Sequence, residues 1–267
     1  MTRRFSNCMA AIVAKFTNRP TFRQEWRDFI RFIIRPAAGP RLPGRTTGHG
    51  EWLDWFPGVP VGRLVQWACA LWAINLLFLG PIALAAAGAG GAEHRLNLEN
   101  IPWLQALIWA PVVEELVFRY GLRRPIRALW LVPLAVYALL SGPEAHAIAV
   151  VCVVILLCWW QAYPRSPLSQ KPMPWRLRRA YLGGFPLLVH VSCLLFAAVH
   201  LNNFSLNQTP WWLMPLLVLP QWLTGLALAW LRVRQGIGAS MLLHGLFNGG
   251  PLLVVWLVLQ WMPLPPG

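Results

Sequence analysis

Two adjacent carboxylates and an arginine stand in a strongly apolar stretch of this chain. Glu114 and Glu115 lie near the end of the run from Ile101 to Phe118, and Arg119 follows that run directly. At the centre of a bilayer each ionised Glu or Arg costs roughly 2.5–3.5 kcal/mol, so such groups pair, become protonated or face a polar cavity. The three residues therefore indicate either a catalytic site or an ion-pair network that joins helices.

Helical spacing gives the two glutamates different surroundings. Positions four apart share a helix face, so Glu115 is expected to pair with Arg119, whereas Glu114 points about 100° away. A lone carboxylate in a dry pocket can take a proton from a water molecule and return it to a leaving group. Pro111 should also weaken the helical hydrogen bonds beside these residues.

Two further apolar segments carry isolated polar side chains. His200 ends one segment, and His244 lies four residues before Asn248 in another, so the latter two share a helix face. A single intramembrane histidine is more often a helix-packing group than a catalyst. Three segments that each offer such a group favour one shared site, and Gly245 and Gly249 would let the helices approach closely.

The composition identifies the medium around these residues. Hydrophobic residues make up 57% of the chain and charged residues 12%, against roughly 45–50% and 25% in soluble domains. These values exclude an ordinary soluble domain and predict an all-α polytopic membrane protein. The net charge of +14 would suit nucleic-acid binding. However, the basic residues fall between apolar runs, as the positive-inside rule requires, so no nucleic-acid partner is expected.

About seven apolar segments, within a range of six to eight, are predicted to cross the membrane as a helical bundle. They are residues 64–88, 100–120, 128–141, 145–163, 182–201, 211–231 and 237–262. The last segment could be kinked or broken at Gly249-Gly250-Pro251. A cytoplasmic N-terminus puts the basic loops on the inside throughout, so we predict this orientation in a bacterial inner membrane.

Residues 1–62 are predicted to form a basic segment and linker ahead of a transmembrane domain at residues 63–267. Residues 1–50 carry ten Lys or Arg and no stretch long enough to span a bilayer. One helical face would present apolar side chains beside a row of arginines, which is typical of an interfacial helix. The apolar side chains are Phe22, Trp26, Phe29, Ile30 and Ile33. A basic tail with only nascent helicity is the alternative. The later tract from Arg165 to Arg179 is predicted to contact anionic lipid.

The series EELVFR, FAAVH and HGLFN resembles, in this order, the three motifs of the CPBP family of intramembrane proteases. That family includes the type II CAAX prenyl proteases and the bacteriocin-processing, Abi-like enzymes. Its pattern is two glutamates with an arginine four residues after the second, a Phe four residues before a His, and a His four residues before an Asn. Each motif alone is weak, whereas the ordered triple is specific. The resemblance covers residues 100–262.

The resemblance implies an endopeptidase that cuts a membrane-bound or lipid-tethered protein or peptide. The implied catalytic residues are Glu114, His200, His244 and Asn248. The implied supporting residues are Glu115, Arg119 and Phe196. Glu114 and His200 would activate a water molecule, and the other two catalytic residues would position the water or stabilise an oxyanion.

The spacing of the motifs departs from the family pattern. The second motif usually follows the first much more closely, and here the excess holds a predicted helical pair at residues 128–163. We interpret this pair as an insertion that leaves the orientation of His200 unchanged. Upright spans would separate His200 from Glu114 by about 15 Å in depth. A tilt, a kink at Pro186 or a helix that begins near Trp175 would remove this mismatch.

The residues leave the question of a metal open. Glu114, His200 and His244 could form a three-ligand zinc site with one open position, and the same groups could act without metal. Asn248 beside His244 favours hydrogen bonding to an oxyanion, because an amide is a poor zinc ligand, so we expect no cofactor. Two other classes compete with the protease. They are a proton-coupled transporter, for which no inverted repeat is evident, and a non-catalytic scaffold or immunity-type protein.

Overall fold

The computed structural model describes residues 20–40, 52–56, 58–96, 100–162 and 173–261. Its helices are α1 (Phe22–Ile34), α2 (Trp52–Trp55), α3 (Val61–Gly90), α4 (Ala110–Phe118), α5 (Pro125–Ser141), α6 (Ala145–Ala162), α7 (Trp175–Val199), α8 (Met214–Leu217), α9 (Leu219–Gln235) and α10 (Ile237–Trp261). π-Helical turns occupy Asn75–Leu79 within α3 and Gln105–Trp109 before α4, and 3₁₀ turns occupy Tyr120–Leu122 and His200–Asn203. Two short strands, β1 (Glu93–His94) and β2 (Phe204–Ser205), pair antiparallel. The predicted all-α fold is confirmed.

Three helical stretches of the described residues are long and apolar enough to cross a membrane. They are Val61–Gly90, Trp175–Asn203 and Ile237–Trp261. The helices α5 and α6 are apolar but shorter, and the count of seven spans stays a prediction. The break that Gly249-Gly250-Pro251 suggested is absent, because α10 continues through these residues with Pro251 inside it.

The amphipathic helix α1 packs against the bundle. Its first turn is closed by a capping box, in which the Gln24 backbone N–H donates to the Thr21 hydroxyl and the Gln24 side chain accepts from the Thr21 backbone N–H. The predicted helix is therefore present. Phe29 of the predicted apolar face is buried and Ile30 is 41% exposed, whereas Phe32, which lies outside that set, is buried. The face of α1 that packs against α3 and α9 is therefore rotated from the predicted apolar face.

Aromatic and charged contacts hold α1 in place. Phe29 packs edge-on against Trp67 of α3 and near Trp230 of α9. Asp28 accepts hydrogen bonds from Trp230 Nε1 at 2.8 Å and from Arg234 Nε at 2.7 Å. Burial alone would raise the pKa of Asp28, but these hydrogen bonds outweigh it and hold that pKa below its usual value. A docked helix therefore replaces the alternative of nascent helicity within residues 22–34. Residues 1–19, 41–51 and 163–172 lie outside the described residues, so the lipid contacts predicted there stay predictions.

The helical pair predicted at residues 128–163 is present as α5 and α6. It packs on the outer side of α4 through a cluster that contains Val113, Leu116, Leu131 and Val151. The pair therefore supports the helix that carries the two adjacent glutamates. That it is an insertion into the family pattern stays a prediction.

The helix α7 begins early enough to remove the predicted depth mismatch. It starts at Trp175, contains Pro186 and ends at Val199. His200 follows directly in a 3₁₀ turn. The long first part of α7, up to Gly184, is mostly exposed, and its buried residues begin at Phe185.

Candidate active site

A cavity of about 560 Å³ lies among α3, α4, α7, α9 and α10. All four predicted catalytic residues line it: Glu114, His200, His244 and Asn248. Phe196 lines it as well. The three sequence motifs therefore meet in space, and the catalytic roles of their residues stay predictions.

Glu115 is fully buried next to the cavity and is the shared acceptor of a hydrogen-bond network. Its Oε1 accepts from Arg119 Nη1 at 2.8 Å, and both side chains are 0% exposed, so the predicted ion pair is present. Its Oε2 accepts from the Ser240 hydroxyl. A third donor, His244 Nδ1, lies 3.1 Å from Oε1. Because a carboxylate has room for several donors, Glu115 can hold the arginine, serine and histidine at once.

This network orients His244 towards Glu114. Since Nδ1 of His244 faces the Glu115 carboxylate, Nδ1 carries a proton and Nε2 points the other way. Nε2 lies 3.7 Å from Glu114 Oε2, which is too long for a direct hydrogen bond and suits a bridging water or substrate atom. Glu114 Oε2 is buried and has no hydrogen-bond partner among the described residues. A buried carboxylate oxygen without a partner is costly, so this atom is a candidate for binding a water or substrate atom.

His200 is oriented by its own helix. Its Nδ1 donates to the Phe196 carbonyl oxygen at 2.8 Å, so Nε2 is left for the cavity. The Phe196 ring lies with its centroid 4.6 Å from that of His200 and 5.6 Å from that of His244. On its other side the Arg119 guanidinium lies 3.7 Å from the ring centroid, a cation–π contact. Phe196 is thus a spacer that touches both histidines and the buried arginine.

Asn248 is held by a hydrogen bond to the Ala106 carbonyl oxygen, which has no donor within its own helix. In the turn Gln105–Trp109 the N–H of Ala110 donates to Gln105 O, five residues back. The next donor in this register would be residue 111, a proline, which has no N–H. The Ala106 carbonyl therefore lacks its helical donor and accepts from Asn248 Nδ2 at 3.0 Å. The second N–H of the amide remains for a ligand.

Glycines let α10 approach this irregular segment, as predicted. A Cβ atom on Gly245 would lie 2.9 Å from the Leu107 carbonyl oxygen, and one on Gly249 would lie 2.7 Å from Leu107 Cδ2. Contacts this short do not occur for real Cβ atoms. Glycine at these two positions therefore allows α10 to lie close to the π-turn Gln105–Trp109, and this places His244 and Asn248 near the segment that precedes Glu114.

Arg232 of α9 fastens the end of the helix that carries the glutamates. It donates to the carbonyl oxygens of Arg119 and Tyr120 at 3.1 and 3.3 Å, and its Nη1 lies 2.5 Å from Asp54 Oδ1 of α2. Carbonyls at a helix end have no helical donors, so a buried cation there satisfies them and complements the helix dipole. The N-terminal segment is thereby joined to the site.

The donor set does not form a metal site as it is placed. Among the described residues, no group of three or more His, Cys, Asp and Glu side chains is arranged to hold a metal ion. His244 Nδ1 and His200 Nδ1 are both directed away from the cavity, and Glu114 Oε2 is 3.7 Å from the nearer imidazole. We therefore derive no chemical step through a metal.

Sequence reasoning missed several residues of the site. Ser240 lies four residues before His244, so helical periodicity could have placed it on the same face. Asp54 and Arg232 gave no such signal, because their pairing joins distant parts of the chain. Asn202 and Asn203 also line the cavity, and their place in a short loop after His200 does indicate such a position.

Comparison with known proteins agrees with the motifs. Residues 97–250, more than half of the chain, match the model of the Rce1-like type II CAAX prenyl endopeptidase family. No curated protein and no solved structure matches the chain. The matched residues include all three motifs and most of the residues that line the cavity. The chain therefore belongs to the Rce1-like family of type II CAAX prenyl endopeptidases, and it is an integral membrane protease of that general kind.

Proposed function

We propose that the protein hydrolyses a peptide bond by direct attack of a water molecule that Glu114 activates together with His200. The observation that carries this proposal is the buried, unpartnered Oε2 of Glu114, which faces a cavity that both histidines and Asn248 also line. A purely structural carboxylate would be paired with a cation, as Glu115 is with Arg119 at 2.8 Å.

The chemistry follows from the free atoms of each side chain. Glu114 takes one proton from the water, and His200 Nε2 accepts a hydrogen bond from the other. The resulting hydroxide adds to the carbonyl carbon of the peptide bond, and the carbonyl oxygen becomes an oxyanion. Glu114 then returns its proton to the nitrogen, the C–N bond breaks, and a carboxylic acid and an amine leave.

Asn248 and His244 are suited to the oxyanion. The amide has one N–H that does not bind Ala106, and a doubly protonated His244 can donate from Nε2 while Glu115 holds Nδ1. Donors fixed in advance towards a developing charge are usually the largest single contribution to such catalysis, about 3–4 kcal/mol for one donor. Glu115, Arg119 and Phe196 are supporting residues in this proposal.

We propose a membrane-bound or lipid-tethered protein or peptide as the substrate. A second, apolar groove of about 720 Å³ lies among α4, α5 and α7. It shares Val199 and Asn202 with the cavity of the four catalytic candidates. A lipid chain in this groove would hold a tethered peptide next to Glu114, and binding energy from such a remote group can be used for positioning.

We further propose a bacterial inner membrane as the location, with α1 and the N-terminus on the cytoplasmic side. The support is the positive-inside rule applied to the basic loops. The arginine-rich tract at residues 165–179 would then contact anionic lipid headgroups.

The experiment is proteolysis of a library of labelled membrane peptides by the purified protein in detergent or liposomes. We compare wild type with Glu114→Gln and His200→Ala, and we include Glu144→Gln as a control, because this exposed carboxylate lies in the α5–α6 connection away from the cavity. Cleavage should fall by at least about 100-fold in the first two variants and persist in the control.

Metal content is determined in the same samples. An active sample without metal supports a glutamate-type enzyme, and activity that returns only with added zinc contradicts the proposed mechanism. Cleavage that all variants retain would mean that Glu114 and His200 do not catalyse it.

A further inference from the structure

The arginines of the described residues are distributed very unevenly between the two ends of the bundle. All except one lie in or beside α1, at the start of α3, α5 or α7, or at the end of α4 or α9: Arg23, Arg27, Arg31, Arg35, Arg63, Arg119, Arg123, Arg124, Arg127, Arg176, Arg178, Arg179, Arg232 and Arg234. The exception is Arg95, which follows β1.

Contacts show that these basic helix ends form one face of the protein. The end of α9 binds α1 through Asp28 and binds the end of α4 through the Arg119 carbonyl. The Tyr181 hydroxyl, near the start of α7, donates to the Gly121 carbonyl oxygen just after α4 at 3.3 Å. We call this surface the basic face.

The mouth of the cavity lies at the opposite end. There β1 and β2 join the segment after α3 to the segment after α7, and the Arg95 backbone N–H donates to Asn203 O at 2.8 Å. Four exposed residues of the cavity lining gather at this point: His94, Arg95, Asn202 and Asn203. The other exposed residues of the lining are Pro102 and Gln105, which precede α4, and Pro251 of α10. The positive-inside rule puts the basic face in the cytoplasm, so the mouth is on the other side of the membrane.

Arg95 is the single Lys or Arg among the described residues that line the cavity. Its Nε donates to the Ser205 hydroxyl at 3.2 Å, which together with the backbone bond fixes its position at the rim. No salt bridge joins it to an acidic side chain in the described part of the chain, although Glu93 lies two residues earlier. Partial loss of solvent lowers the pKa of the adjacent His94.

We propose that the peptide substrate enters the cavity from the extracytoplasmic side and that Arg95 is a specificity-determining residue, which binds a carboxylate of the substrate. A guanidinium binds a carboxylate through two parallel hydrogen bonds and is therefore a selective reader of that group. The carboxylate is either the free C-terminus or an acidic side chain. This inference rests on the proposed function, because it names what the same cavity selects.

Binding of matched peptides tests the selectivity. A fluorescent membrane peptide chosen from the library is prepared as the free acid, as the C-terminal amide, and with each Asp or Glu replaced by Asn or Gln. Dissociation constants are measured on full-length Glu114→Gln protein, which retains the peptide uncut, with and without Arg95→Gln. Arg176→Gln, an exposed arginine of the basic face, is the matched control, and melting temperatures verify that each variant is folded.

We expect the charged peptide to bind about fivefold or more tightly than its neutral partner. Arg95→Gln should abolish this preference, Arg95→Lys should restore part of it, and Arg176→Gln should leave it unchanged. Loss of preference on amidation identifies the C-terminus, and loss on Asp or Glu replacement identifies a side chain. The proposal is overturned if the protein that retains Arg95 binds all peptides equally, or if the preference for the charged peptide survives Arg95→Gln.

Labelling of single introduced cysteines tests the side of entry without any substrate. In intact spheroplasts, a membrane-impermeant maleimide should label Arg95→Cys above the wild-type background, and Arg176→Cys only after permeabilisation. The reverse pattern overturns extracytoplasmic entry. A Glu114→Gln variant that still cleaves peptides would refute the proposed function, whereas these binding and labelling results concern Arg95 alone, so the two failures are distinguishable.

Discussion

The two adjacent glutamates should respond in opposite ways to the same substitution. Glu115→Gln removes the only charge that is paired with Arg119 among the described residues, and both side chains are 0% exposed. Breaking a buried ion pair from one side costs about 3–5 kcal/mol, because the other charge stays buried without a partner. Glu114→Gln breaks no hydrogen bond of Oε2 within the described residues.

The size of the difference can be stated as a change in melting temperature. For a chain of this length, 1 kcal/mol corresponds to about 2–4 °C, so Glu115→Gln should lower the melting temperature by about 6–20 °C. Glu114→Gln should change it by less than about 2 °C. The double variant Glu115→Gln/Arg119→Met removes both charges and should recover most of the loss.

The assay is thermal unfolding of purified protein in detergent, with cleavage activity measured on the same samples. Glu114→Gln should be stable and inactive, and Glu115→Gln should be destabilised. If Glu115→Gln melts like wild type, or if the losses of Glu115→Gln and Arg119→Met simply add in the double variant, the buried pair does not have the supporting role assigned to it.

Three further predictions concern the surroundings of the site. Gly245→Ala should abolish activity and lower the melting temperature, since its Cβ would lie 2.9 Å from the Leu107 carbonyl oxygen; an active, stable variant would contradict the close approach. Ser240→Ala should lower kcat about tenfold, with little change in KM, because it removes a donor from the network that orients His244; an unchanged kcat would refute this. The pKa of Asp28 is lowered in the folded protein, so its contribution to stability is present at pH 7 and is lost as the pH falls below about 4. Asp28→Asn should therefore lower the melting temperature more at pH 7 than at about pH 3, and an equal effect at both pH values would contradict this prediction.

Local spacing was enough to predict the parts of the site that a single helix determines. The ion pair of Glu115 and Arg119 follows from positions four apart, and the shared face of His244 and Asn248 follows from the same rule. The all-α fold followed from composition and from apolar runs of spanning length. These features depend on the helical repeat alone, and so they can be read without knowledge of the packing.

The parts that depend on packing could not be predicted in this way. The pairing of Asp54 with Arg232 joins residues that no periodicity relates, and the orientation of α1 depends on where Trp67 and Trp230 stand. The Ala106 carbonyl lacks a helical donor because the π-turn shifts the hydrogen-bond pattern by one residue, so that the donor would be Pro111, which has no N–H. The sequence indicated only a weakened helix at Pro111. The number of spans also stays a prediction, because α5 and α6 are shorter than a full crossing.

The central claim, that Glu114 and His200 act on one water molecule, is tested most directly by a double-mutant cycle on cleavage rates. Values of kcat/KM are measured for wild type, Glu114→Gln, His200→Ala and the double variant on one peptide. Residues that act as a unit give strongly non-additive losses, so the double variant should be no more than a few-fold slower than the slower single variant. Losses that multiply would mean that the two residues act independently, and that result would contradict the account.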